Sequence, residues 1–382
     1  MPINLLITGD YCPIGRNAQS IENGDYSMFG NFIPYVRNAD LAVTNLESPL
    51  TLMSEEIKKT GPNIKSSPNA IKALSFAGFN LVTLANNHIL DYGEAGVKDT
   101  IRHCKEEKIN VVGAGENLVK AREPFITAIN DVKIAILNFA ENEFCAASEN
   151  TSGANPINLI TNYQDIKKTK QKVDCLIVVV HGGREHYQLP TPKQRERYRF
   201  YIDSGADIVI GHHTHCFSGY EFYNEKPIFY SLGNFIFDYK KKYQTGLWTQ
   251  GYGVLFNLSK GGLDFELIPY WQGRTENEKL VLLDDQEKVR FENKIKQLNQ
   301  IIDSDELFYS EWKSYLQTQK KDYYGMIFIR NKYIRAAIKK GLLFPFFFQS
   351  KEHKRLLLNI FRCESHQEIM MNILENNINT YL

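Results

Sequence analysis

Long apolar runs are missing from this chain: nowhere in its 382 residues do apolar side chains approach the roughly twenty in succession that a membrane-spanning helix needs. The opening stretch MPINLLITGD reaches Asp10 too early to hold the apolar region of a signal peptide. The expectation is a cytoplasmic protein that is not integral to a membrane. Cysteine is scarce. The six, at positions 12, 104, 145, 175, 216 and 363, form no CxxC pair, which predicts free thiols in a reducing compartment rather than a disulfide framework. An excess of one charge is also absent. Lys and Arg number 45 against 44 Asp and Glu, so no global field favours a nucleic-acid partner, and none is expected. There is no internal repeat, and no GxSxG elbow to support a serine nucleophile.

What is present is a succession of short apolar runs alternating with helical stretches, the pattern of an α/β architecture. The runs are NLLIT (4–8), DLAVT (40–44), NLVTLA (80–85), DCLIVVV (174–180) and ADIVI (206–210). Ser67-Pro68 with Gly78, and Thr191-Pro192 with Gly205, bracket two of the intervening helices. Further strand-like runs lie at 109–139 (INVV, KIAILNF) and at 228–268 (IFYS, GVLFNL, DFELIP), the later ones read as a second sheet. From about 275 charged amphipathic segments take over, and Ser365 with Glu368 forms a capping-box signature before IMMNIL. The expected organisation is a main domain over 1–274 and a helical region over 275–382.

Each major run ends in residues that carry chemistry. The ends are Gly9-Asp10, Asn45-Leu46-Glu47, Asn86-Asn87-His88, His181, and Gly211-His212-His213-Thr214-His215. In open α/β sheets ligands bind outside the carboxyl ends of the strands, so these residues should converge. A buried cluster of carboxylates, carboxamide and imidazoles is costly unless cations organise it. Oxygen from Asp10, Glu47 and Asn87 together with nitrogen from His181, His213 and His215 suits divalent Mn, Fe or Zn rather than Ca or Mg. Six candidates exceed what one catalytic ion needs, so two are expected; a pair about 3.5–4 Å apart can clamp the attacking and leaving oxygens at phosphorus.

In order along the chain, GD (9–10), NLE (45–47), ANNHILDYG (85–93), HGGREHY (181–187), GADIVIGHHTH (205–215) and YSLGNFIFD (230–238) resemble the motifs of the bacterial capsule-synthesis CapA family, the poly-γ-glutamate capsule proteins. The resemblance covers about residues 1–260. It implies the calcineurin-like metallophosphoesterase fold, a four-layer α/β/β/α sandwich with a di-metal centre. It further implies that Asp10 and His215 bind one metal, that Glu47 bridges both, and that Asn87, His181 and His213 hold the other. His88 matches the histidine that stabilises the transition state or protonates the leaving group, with Asp91 orienting it, and His212 is left without a role. Two departures stand out: Cys12 replaces the histidine of a DxH motif, and His181-Gly182-Gly183 lacks the aromatic residue often found there, removing a wall of the cleft.

Arg16, Lys65, Arg184 and Glu185 are the expected substrate contacts, Arg16 because a guanidinium close behind the first motif suits bidentate phosphate binding. Function divides between a phosphohydrolase, cutting a phosphomonoester or phosphodiester in a phosphorylated or lipid-linked polymer precursor, and a non-catalytic scaffold of a synthesis and export system. Amide hydrolysis on the same centre is a further possibility. Residues 330–355, with eight Lys or Arg around GLLFPFFF, have the composition of a segment that contacts anionic membrane at its surface. The alternative places those phenylalanines in the protein core.

Overall fold

The computed structural model describes residues 2–342, except 60, 260, 261, 329 and 330, together with residue 361. They fall into two units, 1–308 and 309–382. The first is built on two sheets. In chain order its main strands are β1 (Ile3–Tyr11), β2 (Leu41–Leu46), β3 (Leu81–Thr83), β4 (Asn110–Val112), β5 (Phe125–Ile129), β6 (Val132–Ala140) and β7 (Cys175–His181). There follow β8 (Ile208–His212), β9 (Tyr220–Tyr223), β10 (Lys226–Phe229), β11 (Asn234–Ile236), β12 (Gln250–Ser259), β13 (Gly262–Trp271) and β14 (Val281–Leu282). One sheet has the order β14-β13-β12-β1-β2-β3-β4 with β11 paired to β1; the other has β9-β10-β8-β7-β6-β5.

The strands read as unbroken apolar runs because both faces of each sheet are covered. Period-two alternation sorts their side chains. Leu5 and Ile7 of β1, Leu41 and Val43 of β2 and Leu81 of β3 join Ile136, Val178 and Val209 of the other sheet in one core. Leu6, Ala42 and Val82 point the opposite way, into a second core with Ile71, Leu74 and Val97 of the helices Ala70–Ala77 and Gly93–Glu106. The outer face of the other sheet is covered by helices Leu159–Lys170 and Pro192–Ser204, which contribute Ile166, Tyr198, Tyr201 and Ile202. The result is an α/β/β/α sandwich.

Thr191 caps helix Pro192–Ser204 in a capping box with Gln194, and Gly205 closes it. The helix after Ser67-Pro68 starts two residues later than expected, at Ala70, and ends at Gly78 with φ 107°. The later strands do not make a second sheet of their own. GVLFNL, in β12, runs antiparallel beside β1, and DFELIP, in β13, runs antiparallel beside β12, whereas the run IFYS begins in β10, which lies parallel beside β8. DCLIVVV and ADIVI leave the sheet of β1 altogether and pair with each other. Helix Asp285–Asp303 belongs to the first unit and buries Phe291, Ile295, Leu298 and Ile302 in its core.

In the second unit, helix Lys332–Lys339 starts at Asn331, whose side chain accepts from the Tyr333 and Ile334 amides; Ile338 is buried and Tyr333 exposed. The 365–368 capping box and the phenylalanines at 344 and 346–348 lie outside the described residues. No helix among the described residues is long and apolar enough to cross a membrane.

Candidate metal centre

The site forms where the carboxyl ends of strands from both sheets meet. β1, β2 and β3 are parallel, with Asp10 opposite Asn45, and β7 and β8 are parallel, with His181 opposite His212. β11 runs beside β1 and sets Asn234 opposite Asp10. These crossings need glycine at two positions. A Cβ on Gly9 would stand 1.9 Å from the Gly233 carbonyl oxygen, and one on Gly211 would stand 2.1 Å from that of Tyr230.

Two groups of side chains could each hold a metal ion: Asp10, Glu47 and His215, and Glu47, His181 and His213. Glu47 belongs to both. Its Oε1 lies 3.6 Å from His181 Nε2 and 3.6 Å from His215 Nε2. Asn87 Oδ1 is 3.0 Å from the same His181 Nε2, and His213 Nδ1 is 3.1 Å from it, which adds Asn87 to the second group. The residues fit a cation on their own chemistry. Glu47 is fully buried and neither of its carboxylate oxygens has a hydrogen-bond partner, an arrangement that is expensive without a positive charge between them.

The electrostatics agree. Burial, reinforced by Asp10, pushes the Glu47 carboxyl well above its ordinary range. Burial likewise holds His181 well below the ordinary histidine value, with His213 adding to the effect, and lowers His215 to about 4. Both imidazoles are therefore neutral, the form that ligates. Burial opposes ionisation of Asp10, but its hydrogen bond with His212 and the surrounding imidazoles outweigh that and keep it a carboxylate. The GHHTH turn carries backbone strain, with His213 at φ 87° and His215 at φ 54°.

Around the groups stands a shell of side chains whose roles were not legible in the sequence. Asn45 Nδ2 donates to Asp10 Oδ1 at 2.7 Å and lies 3.1 Å from His181 Nδ1, while its Oδ1 accepts from Thr83 Oγ1 at 3.0 Å. His212, left without a role by the motif comparison, has its Nδ1 3.3 Å from Asp10 Oδ1. Asn234 Oδ1 lies 3.0 Å from His215 Nδ1, which holds that nitrogen as the N–H and leaves Nε2 with its lone pair on the Glu47 side. Asn234 sits in YSLGNFIFD, a motif carried only by resemblance; its strand position gave no signal of its own.

His88 and Asp91 form a buried dyad. Nδ1 of His88 is 2.6 Å from Asp91 Oδ2, which also accepts the Ile64 amide at 2.7 Å. Lys59, in the unremarkable run EEIKKT, brings its Nζ to Asp91 Oδ1 and within 3.4 Å of His88 Nδ1. Both His88 and Lys59 line a pocket of about 420 Å³, which Asn87 and His215 also reach.

Of the expected substrate contacts, Glu185 lines this pocket; Arg16, Lys65 and Arg184 are not among its lining residues. Arg16 makes a two-pronged pair with Asp238 at 2.7 and 3.0 Å and donates to the Gly273, Arg274 and Thr275 carbonyls. Lys65 bonds the Met53 carbonyl and sits 4.6 Å from the Tyr92 ring centre. Arg184 is half-buried in the turn after β7.

Cys12 belongs to neither ligand group. It is buried against Ile64, Phe237 and Trp248, and burial pushes its thiol well up. The aromatic wall missing at Gly182 comes from elsewhere: Phe237, Tyr239, Tyr243 and Trp248 line the pocket. At Gly182 itself a Cβ would stand 2.6 Å from Glu141 Cγ.

Residues 4–239 match the family model described as bacterial capsule synthesis protein PGA_cap. The chain is 35% identical over 248 residues to the capsule biosynthesis protein CapA of Bacillus anthracis, covering 62% of this chain and 60% of that protein. It is 33% identical over 267 residues to the PGA biosynthesis protein CapA of Bacillus subtilis, covering 67% and 68%. The matched region thus spans about three-fifths to two-thirds of the length of these relatives. A crystal structure of a hypothetical protein from Thermus thermophilus is 13% identical with a TM-score of 0.44, over 70% of this chain and 99% of that one.

Proposed function

We propose, from the premise that this chain belongs to the bacterial capsule synthesis protein family, that it is a metal-dependent phosphohydrolase acting on a phosphomonoester or phosphodiester in assembly of a capsule or other surface polymer. The observation that carries the reading is the pair of ligand groups sharing Glu47 beside a pocket lined by His88, whose Nδ1 is held from behind by the buried Asp91. Asp10 and His215 would hold one ion, Asn87, His181 and His213 the other, and Glu47 both. Two divalent Mn, Fe or Zn ions, when bound, would supply neutralisation of phosphate charge and a water acidified to near neutral pH.

The chain's own residues do the rest. Asp91, bonded to His88 Nδ1, fixes the ring so that Nε2 is the nitrogen available to protonate a leaving oxygen. Lys59 pairs with Asp91 Oδ1 at the pocket wall and so steadies the dyad. The names of the relatives point to capsule or poly-glutamate assembly, so the substrate in this reading is a phosphorylated or lipid-linked polymer precursor.

The deciding experiment loads purified protein with Mn, Fe or Zn and assays a panel of phosphomonoesters and phosphodiesters beside His88→Ala of equal metal content. Turnover by the wild type, reduced in the variant, supports the reading. No turnover with any metal on any substrate overturns it and leaves the fold as an assembly scaffold.

A further inference from the structure

The mechanism above uses one side of the pocket and leaves the other unexplained. That side is aromatic, and it starts at the metal centre. Trp248 lies 4.5 Å, centre to centre, from the ring of His215; Tyr243 lies 4.6 Å from Trp248; and His186 stacks on Tyr243 at 5.6 Å with 14° between planes. Tyr239 stacks within 5.8 Å of Tyr243. Trp248 is buried, but Tyr239 and Tyr243 are only half-buried and His186 is exposed. A core cluster would have closed over them.

The wall is braced rather than loose. Trp248 Nε1 donates to the Phe237 carbonyl at 2.7 Å, and Gln244 Nε2 donates to Asp238 Oδ1 at 2.9 Å. Asp238 is itself held by Arg16. The guanidinium expected to bind substrate therefore holds up the wall that faces it.

The charges of the pocket narrow the ligand. Glu143 and Glu185 line it together with Lys59 and Lys240. Lys59 is paired with Asp91, and Lys240 lies over the Tyr239 ring at 4.6 Å. A run of glutamate carboxylates would bring like charge against the two acidic residues. A sugar would bring C–H faces to the aromatic rings and hydroxyl donors to the carboxylates, in a cavity of about 420 Å³ that has room for a phosphate and a pyranose ring.

We propose that the wall formed by Tyr239, Tyr243, Trp248 and His186 is a subsite for the sugar ring of a glycosyl phosphate, seated beside the metal centre, and that it does not serve a polyglutamate chain. The proposal rests on the phosphoester reading for its phosphate end only. Its test is therefore binding, not turnover. Calorimetry on the metal-loaded protein compares glucose 1-phosphate and N-acetylglucosamine 1-phosphate with inorganic phosphate and with a γ-linked glutamate oligomer, for wild type and Tyr243→Ala.

The expected result is that a sugar phosphate binds about tenfold or more tighter than inorganic phosphate, and that Tyr243→Ala removes this difference while phosphate binding stays the same. Tyr239→Ala, on a half-buried ring, gives a second variant should Tyr243→Ala fail to fold. Equal affinity for sugar phosphate and phosphate overturns the proposal, as does tighter binding of the glutamate oligomer. An inactive protein that still prefers the sugar phosphate refutes the hydrolase reading and leaves the subsite standing.

Discussion

Glu47 concentrates the chemistry at the scale of single residues. Its pKa is raised by burial, so in ion-free protein the folded state holds a proton more tightly than the unfolded chain does. The sign follows: the ion-free fold loses stability as pH rises above the ordinary glutamate value of 4.5 toward the raised one. Melting temperatures of chelator-treated protein between about pH 5 and pH 8 should therefore fall more steeply for wild type than for Glu47→Gln, which has no proton to lose. The same variant should fail to retain metal. Asn234→Ala should weaken metal binding about 10- to 100-fold by freeing the His215 tautomer, and Asn234→Asp, which keeps the acceptor, should restore most of it; equal metal affinity in all three proteins would remove the positioning role. His88→Ala should leave metal content unchanged and lower phosphoester turnover by about 100-fold or more. Turnover at the wild-type rate would show that His88 is not the acid.

Among the elements, β1 is the most constrained, because it pairs on both sides and with β11 as well. Gly9 permits this triple pairing, and a methyl group there would collide with backbone rather than with a movable side chain. Gly9→Ala should cost about 3 kcal/mol or more of unfolding free energy and displace Asp10, measured by urea denaturation and by metal content. A variant of unchanged stability would mean that the strands can separate locally at no cost. The GHHTH turn answers to the same logic: Gly211 passes close to Tyr230, and the strained His213 and His215 are held by Asp10 and Asn234.

For the molecule as a whole, the candidate metal centre and its pocket lie inside the first unit, and the C-terminal residues form a second. If, as proposed, the chain acts on a lipid-linked precursor, it must visit a membrane surface, and the basic segment 330–355 has the composition for it. On that proposal the 382-residue chain should sediment with anionic vesicles and not with neutral ones, and both added salt and Lys339→Glu with Lys340→Glu should weaken the binding. Absence of binding to anionic vesicles at low salt would assign the phenylalanines of this segment to packing.

Sequence alone determined the α/β class, the helix bracketed by Thr191-Pro192 and Gly205, and the residues that stand at the strand ends. Each of these depends on local rules: apolar periodicity, capping, and the need of a buried polar cluster for a cation. Strand partners were not legible. GVLFNL joins β1 across some 250 positions of chain, and no local pattern encodes which distant strand an apolar run will pair with. The roles of Lys59, Asn45 and Arg16 were hidden for the same reason. A lysine in a charged run looks like ordinary surface, an asparagine at a strand end like a turn residue, and an arginine close behind the first motif like a phosphate contact. Only the packing of two sheets puts the first against Asp91, the second between Asp10 and His181, and the third onto Asp238, more than two hundred residues away.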